Sequence, residues 1–551
     1  MRSFLSIATT ATLLLSMLID PAGIRAVTPT PPPATTPIQH VVVIFGENIS
    51  FDHYFGTYPK ALNPPGQPRF TALPGTPSVN GLTPALLTSN PNLNSANGSG
   101  AANPFRLNRT QALTPSMSHN YTPEQSSFDL GAMDLFPLNT GSAGTVNNMT
   151  ALSPAVVTTK GLVMGYYDGN TVTALWNYAQ NFAMSDNSYN SNFGPSTPGA
   201  INLIAGQTNG ISASTNGPST AQVLDGTGGY TLIGDAEALG DVCSGTSKFN
   251  VSMSGKNIGD LLNTAGLTWG WFQGGFDLTL TNPNGTTGCS RSTKSPFTGV
   301  TAADYSDHHQ PFQYYASTRN LTHARPTSPA TVGFQDAANH QYDMHDFFDA
   351  LAGGNLPAVS FLKAPAYQDA HPGNSDPLDE QAFVVNVVNT LEQSSFWNST
   401  AIIIAYDDSD GWYDHQPGSI INGSFASTAN DGGTSNVDTL TGPGTCGTQG
   451  VTPQLAGPNS AGAPVNGRCA PGVRTPLLVI SPWAKANFVD HNFTIQTSIM
   501  RFIEDNWTLG QIGGGSFDAI AAPINNMFDF TPTTPPNTNK PTLSPVTGLP
   551  Q

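Results

Sequence analysis

Short apolar runs bounded by Gly, Pro or polar residues recur along the chain. His40-Val-Val-Val-Ile-Phe45, Leu267-Thr-Trp-Gly-Trp-Phe272, Ala358-Val-Ser-Phe-Leu362, Ala401-Ile-Ile-Ile-Ala-Tyr406 and Pro476-Leu-Leu-Val-Ile-Ser481 are short and largely unbroken by charge. That pattern predicts strands covered on both faces. Helical stretches intervene at residues 175–182, 380–391 and 495–505. Strands alternating with helices predict an α/β fold, with a central, mostly parallel sheet flanked by helices on both faces. Long polar stretches separate these elements. Residues 60–115 are rich in Pro, Asn and Gly, and residues 416–472 in Gly, Ser, Asn and Thr. Residues 27–37 read as a stiff Pro-rich linker. The Thr/Pro-rich residues 531–551 predict a disordered tail.

Two strand exits carry the strongest chemical signal. The run ending at Phe45 leads through Gly46 into Glu47-Asn48, and the run ending at Tyr406 leads directly into Asp407-Asp408. Open α/β sheets place ligand sites beyond the carboxyl ends of their strands. The two doublets therefore predict one oxygen-rich cation site built from both ends of the chain. The plainer alternative is a pair of solvated strand-to-loop junctions. Phe193-Gly-Pro-Ser-Thr-Pro-Gly-Ala200 sets Ser196 in a rigid turn at a helix start, where an incoming anion is favoured. Ser196 or Thr197 could equally be an N-cap. No Gly-x-Ser-x-Gly elbow lies nearby, which argues against an α/β-hydrolase triad. His119, His308, His309, His371 and His415 stand in polar settings suited to proton transfer or metal binding. His53 and His345 are expected to be structural.

Composition narrows the partners. Only 10% of the 551 residues are charged, and 56 Gly and 46 Pro predict long ordered loops around a scaffold. A net charge of −17 argues against a nucleic-acid partner, which needs a basic face. It leaves a phosphate substrate open, because a bound metal can supply local positive charge. Arg2 followed by the apolar residues 4–19 reads as a signal peptide over residues 1–26, and no later stretch is long enough to span a membrane. Export suits disulfides among Cys243, Cys289, Cys446 and Cys469. Of the three possible connectivities, the nearest-neighbour pairs 243–289 and 446–469 rank first. Glycosylation sequons occur at Asn48, Asn97, Asn148, Asn320, Asn398 and Asn506.

Five motifs then fall in a recognisable order: Glu47-Asn-Ile-Ser-Phe-Asp-His-Tyr-Phe-Gly56, Gly194-Pro-Ser-Thr-Pro-Gly199, Asp369-Ala-His-Pro372, Tyr406-Asp-Asp-Ser-Asp-Gly-Trp-Tyr-Asp-His415 and Ser481-Pro-Trp-Ala-Lys485. On these the chain resembles the bacterial acid phosphatase/phospholipase C phosphoesterase family, a branch of the alkaline phosphatase superfamily. The resemblance implies an alkaline-phosphatase-like catalytic domain over residues 38–530. It implies metal ligation by Glu47, Asn48, Asp407, Asp408 and the nucleophile Ser196, with one divalent ion (Ca²⁺, Mg²⁺, Mn²⁺ or Zn²⁺). His119, His309 and His371 fall at family histidines around the phosphate, with His308 an alternative to His309. His415 matches a recurrent Asp-His whose role is less defined. The implied activity is phosphoester hydrolysis through a phosphoseryl intermediate. Ser at 196, the Asp407-Asp408 pair and the short stretch after Phe530 favour a secreted phosphomonoesterase acting on small phosphoesters. Phospholipase C acting on phospholipid is the alternative. A non-catalytic, Ca²⁺-dependent binder is a third reading, and it requires Ser196 to be dispensable.

Overall fold

The computed structural model describes residues 31–143, 158–217, 220–426, 437–440, 446, 455, 457 and 464–551. The predicted signal peptide and the Asn148 sequon lie outside the described residues. Eight strands form one sheet: β1 (His40–Gly46), β2 (Ala183–Ser185), β3 (Trp269–Gln273), β4 (Gln341–Asp343), β5 (Val359–Lys363), β6 (Thr400–Tyr406), β7 (Leu477–Ile480) and β8 (Phe488–Asp490). Their order is β4-β3-β5-β1-β6-β7-β2-β8. Every pairing is parallel except the two made by β7, which runs against β6 and β2. All residues of β3, β5, β6 and β7 are buried, so both faces of the sheet are covered. The five longest of these strands are the apolar runs of the sequence. The other three have three residues each, too few to show a period.

Register is what brings the site together. In the β1–β6 pair Gly46 lies opposite Tyr406, and in the β1–β5 pair Ile44 lies opposite Leu362. Glu47 and Asp407 therefore leave their strands side by side at the carboxyl end of the sheet, and Lys363 on β5, level with Phe45, sits two residues before Glu47. The main helices are α1 (Phe51–Phe55), α2 (Thr173–Asn181), α3 (Ser196–Ala205), α4 (Ile258–Ala265), α5 (Met344–Ala352), α6 (Pro377–Gln393) and α7 (Ser498–Trp507). Asp376 starts α6: its carboxylate accepts the N–H groups of Leu378 and Asp379, and Pro377 fills the first helical position. Every residue of α3 is buried, which accounts for its weak polar face.

The polar stretch over residues 60–115 is held in place by its own side chains. Asn63 Nδ2 donates to the Phe70 carbonyl while its Oδ1 accepts the Phe70 N–H. Asn90, Asn92 and Asn97 are buried and bond to neighbouring backbone. The expectation of a disordered tail over residues 531–551 is corrected. Leu543 is fully buried, and its carbonyl and N–H pair with the Asn389 amide of α6. Asn177 of α2 donates to the Gly548 carbonyl, and Asn537 donates to that of Asn181. Composition misled because the tail pairs with amides and backbone carbonyls elsewhere in the chain. Residues 35 and 36, in the predicted linker, bond to Asn506 at the end of α7. The disulfides are Cys243–Cys289 and Cys446–Cys469. Asn48, Asn97, Asn320 and Asn506 are buried sequon positions, whereas Asn398 is exposed. Among the described residues no helix is long and apolar enough to cross a membrane.

Candidate active site

Three loops leave the sheet edge and are laced by backbone bonds. The Glu47 N–H donates to the Asp369 carbonyl at 2.9 Å, Ile49 N–H to Asp408 at 2.9 Å, and Asp407 N–H to Gly46 at 3.2 Å. Asn48, Ala370 and Asp410 each take a positive φ (55°, 80° and 52°). Asn and Asp tolerate the left-handed region, but Ala does not favour it, so local strain lies between Asp369 and His371. The nucleophile turn meets these loops at α3. A Cβ on Gly199 would lie 2.2 Å from the Asp407 carbonyl, so only glycine allows the helix this close.

Ser196 is not an N-cap. Pro195 holds that position, and the Asp235 carboxylate accepts the Thr197 N–H at 3.0 Å. Ser196 Oγ instead lies 3.0 Å from Asp408 Oδ2, 3.2 Å from Glu47 Oε2 and 3.4 Å from Asn48 Oδ1. The second oxygens of the aspartates are anchored by backbone. Asp408 Oδ1 accepts the Asp410 N–H, and Asp407 Oδ1 accepts those of Asn48 and Asp408. Asp407 Oδ2 is buried with no hydrogen-bond partner. The Asn48 amide turns its oxygen toward Glu47 Oε2 at 2.5 Å and Asp407 Oδ1 at 3.1 Å, contacts that only the opposite amide orientation would make into hydrogen bonds. Acceptors crowded together, with one hydroxyl hydrogen among them, form a donor set that suits a hard divalent cation. Glu47, Asn48, Asp407, Asp408 and Ser196 are the residues that could hold it.

The electrostatics agree with that reading. Burial pushes Asp407 up to about 6, helped by Glu47, and raises Asp408 well above the usual carboxylate range. Burial also opposes ionisation of Glu47, but Lys363, Asp407 and His371 together outweigh it and hold Glu47 low. Lys363 itself is buried, with its ammonium in contact with Glu47 Oε1 and 3.7 Å from Asp407 Oδ2. Sequence reasoning overlooked it, although it ends an apolar strand just as Glu47 and Asp407 follow theirs. Glu124 was also missed. Its carboxylate accepts the Gly194 N–H at 2.9 Å and the Ser409 hydroxyl at 2.6 Å, joining the nucleophile turn to the loop after Asp408. Burial pushes it up to about 7.

The histidines sort by environment. His119, His309 and His371 gather, with ring centres 6.3 Å apart for His119 and His371 and 6.5 Å for His309 and His371. His371 Nδ1 lies 2.7 Å from the Pro372 carbonyl, which can only accept. Nδ1 therefore carries the proton, and Nε2 is left to exchange one. His119 Nδ1 faces the Met117 carbonyl and Asp410 in the same way. Burial alone would lower His119, but Asp408 and Asp410 raise it well above its ordinary value. His309 lies buried with Nδ1 2.8 Å from Glu47 Oε1. Burial and the neighbouring His308 hold it well below its ordinary value. His308 is half-buried beside Asp307 and lines a cleft with Asp235. His53 stacks on Trp412 and bonds the Gly165 carbonyl, and His345 joins Asp277, Asp346 and Arg325. Both are structural, as expected. His415 belongs to a buried cluster with Asp52, Asp414 and Arg474.

A cavity of about 590 Å³ adjoins the nucleophile turn, lined by Asn120, Tyr121, Ile233, Asp235 and Val437 among others. Residues 38–510 match the family model described as "Phosphoesterase family". The chain is 26% identical over 485 residues to a "Non-hemolytic phospholipase C" of Burkholderia pseudomallei, covering 85% of this chain and 55% of that one. It therefore spans little more than half the length of that relative. It is 23% identical over 524 residues to "Phospholipase C A" of Mycobacterium tuberculosis, covering 92% and 80%. A solved structure from Vibrio parahaemolyticus, described as a protein in the alkaline phosphatase superfamily, covers 78% of each chain at 11% identity, with a TM-score of 0.28. That overlap is too loose to argue from. The family match runs through all the loops that build the site, and the chain belongs to the Phosphoesterase family.

Proposed function

We propose that the protein is a secreted, metal-dependent phosphomonoesterase acting through a phosphoseryl intermediate on Ser196. The observation that carries the reading is Ser196 Oγ, turned away from any cap and within 3.4 Å of Glu47, Asn48 and Asp408. A divalent cation held by Glu47, Asn48, Asp407, Asp408 and Ser196 would lower the pKa of the hydroxyl and offset charge on the phosphoryl oxygens. Ser196 Oγ, its proton released to solvent on ionisation, attacks phosphorus in line with the departing oxygen. His371, with Nδ1 fixed on Pro372, gives a proton from Nε2 to that oxygen. It then takes one from the water that breaks the phosphoseryl bond. His119 and His309 donate to the equatorial oxygens. Asp410 and Met117 hold the His119 ring in place for that task.

Phospholipase C is the second reading, favoured by the printed names of the curated relatives. Ser at the nucleophile position and Asp407-Asp408 favour the monoesterase. Hydrolysis of p-nitrophenyl phosphate against p-nitrophenylphosphorylcholine, with and without chelator from acid to neutral pH, separates the two. The account expects chelator-sensitive preference for the monoester. Preference for the choline diester would move the assignment to phospholipase C. Activity that survives both chelator and Ser196→Ala would remove the proposed chemistry altogether.

A further inference from the structure

We propose that the ammonium of Lys363 occupies the place of a second cation, so that the centre admits one divalent ion and no more. The inference rests on reading Ser196 and its oxygen cluster as a metal-dependent phosphoester site. Glu47, Asp369 and His309 are buried and offer ligand atoms that all lie within 4.8 Å of one another. Two carboxylates and an imidazole are a common ligand combination for transition metals. This set shares Glu47 with the first: Oε2 faces Ser196, and Oε1 faces His309. A carboxylate shared between two ligand sets is what a two-metal phosphoryl-transfer centre would need.

In this chain a side chain already reaches into the second set. Lys363 Nζ contacts Glu47 Oε1, the oxygen the second ion would need, and lies 3.7 Å from Asp407 Oδ2. The lysine is delivered by β5, whose register with β1 sets it level with Phe45, two residues before Glu47. It is 1% exposed, so it cannot swing into solvent to make room for an ion. A buried charge persists where partners compensate it, and Glu47 and Asp407 do so here. Lys363 is therefore a positioning residue. It holds Glu47 with one oxygen turned to Ser196, and it blocks the other from a second metal. His309 Nδ1 lies against Glu47 Oε1, whereas its Nε2 has no hydrogen-bond partner within the described residues. With Lys363 filling the set, Nε2 of His309 is left to serve the substrate instead.

The test counts metal and does not depend on turnover. Protein stripped with chelator, re-equilibrated with excess Mn²⁺ or Zn²⁺ and freed of unbound ion is analysed for metal per chain. Wild type is expected to retain one ion. Lys363→Met, similar in length but uncharged, is expected to retain two, and Lys363→Met/Asp369→Asn to return to one. Lys363→Gln, which keeps a donor for Glu47, carries the same expectation as Lys363→Met if the methionine variant fails to fold. Two ions in wild type would overturn the proposal. So would a single ion of unchanged affinity in the folded Lys363 variants. Asp408→Asn separates this inference from its foundation. If Asp408→Asn keeps the wild-type ion at full affinity, the reading of the oxygen cluster fails, whatever Lys363 does.

Discussion

Around Ser196 one hydroxyl hydrogen is offered to three acceptors, of which it can satisfy one at a time. Pro195 and not Ser196 caps the helix, and the surplus acceptors support the proposal of Ser196 as a metal-side nucleophile. Ser196→Ala is therefore expected to lower phosphoester hydrolysis by at least about 10³-fold, with an unchanged circular dichroism spectrum. A fall of less than about tenfold would contradict the assignment. His371 makes a different prediction, because an acid matters most when the leaving oxygen is basic. His371→Gln is expected to lose roughly 10²–10⁴-fold on alkyl phosphates and far less on p-nitrophenyl phosphate. Equal losses on both substrates would assign His371 to binding and not to proton transfer.

At the scale of elements, a buried ion-pair cluster lies behind the loops proposed to carry the ligands. Arg474 is fully buried, donates to Asp414 and Asp52, and bonds the carbonyls of Asn80 and Asp186. Asp52 lies in α1 just after Asn48, and Asp414 lies on the loop that begins with Asp407. The cluster therefore ties both ligand loops to the approach of β7. Arg474→Met would leave buried Asp414 without its ion-pair partner and Asp52 with His415 alone. It is expected to cost about 3–5 kcal/mol, seen as a lower denaturation midpoint in urea, together with weaker metal binding. Loss of stability without loss of metal affinity would show that the cluster does not position the ligands. The same scale explains what could be read from sequence. The apolar runs gave the long strands, and their exits gave Glu47, Asn48, Asp407 and Asp408, because burial on both faces and a break at the sheet edge are local signals. Lys363 and Glu124 were not found that way. The role of Lys363 comes from the register between β1 and β5, and that of Glu124 from the meeting of two distant loops. Strands β2, β4 and β8 were missed because their pairing, and not their composition, makes them strands.

For the whole molecule, many buried carboxyls bias stability toward acid. Burial pushes Glu124, Asp379, Glu380 and Glu392 up to about 7, and Glu504 up to about 9. A group raised in the folded state binds more protons there than in the unfolded chain, so stability falls as pH rises through that range. The chelated protein is expected to melt at a higher temperature at pH 6.5 than at pH 8.5. A flat or reversed profile would contradict the burial of these groups as ionisable carboxyls. The ordered tail is a second global feature. Leu543→Ala is expected to destabilise by about 2–5 kcal/mol, whereas a disordered tail would give no change. The central claim is itself a whole-chain one, since residues 47, 196 and 408 meet only in the complete fold. Rapid quenching during turnover of a phosphomonoester, followed by peptide mass spectrometry, tests it most directly. The account expects a transient phosphoryl group on Ser196, absent in Ser196→Ala. A phosphoryl group on another residue, or full turnover by Ser196→Ala, would contradict it.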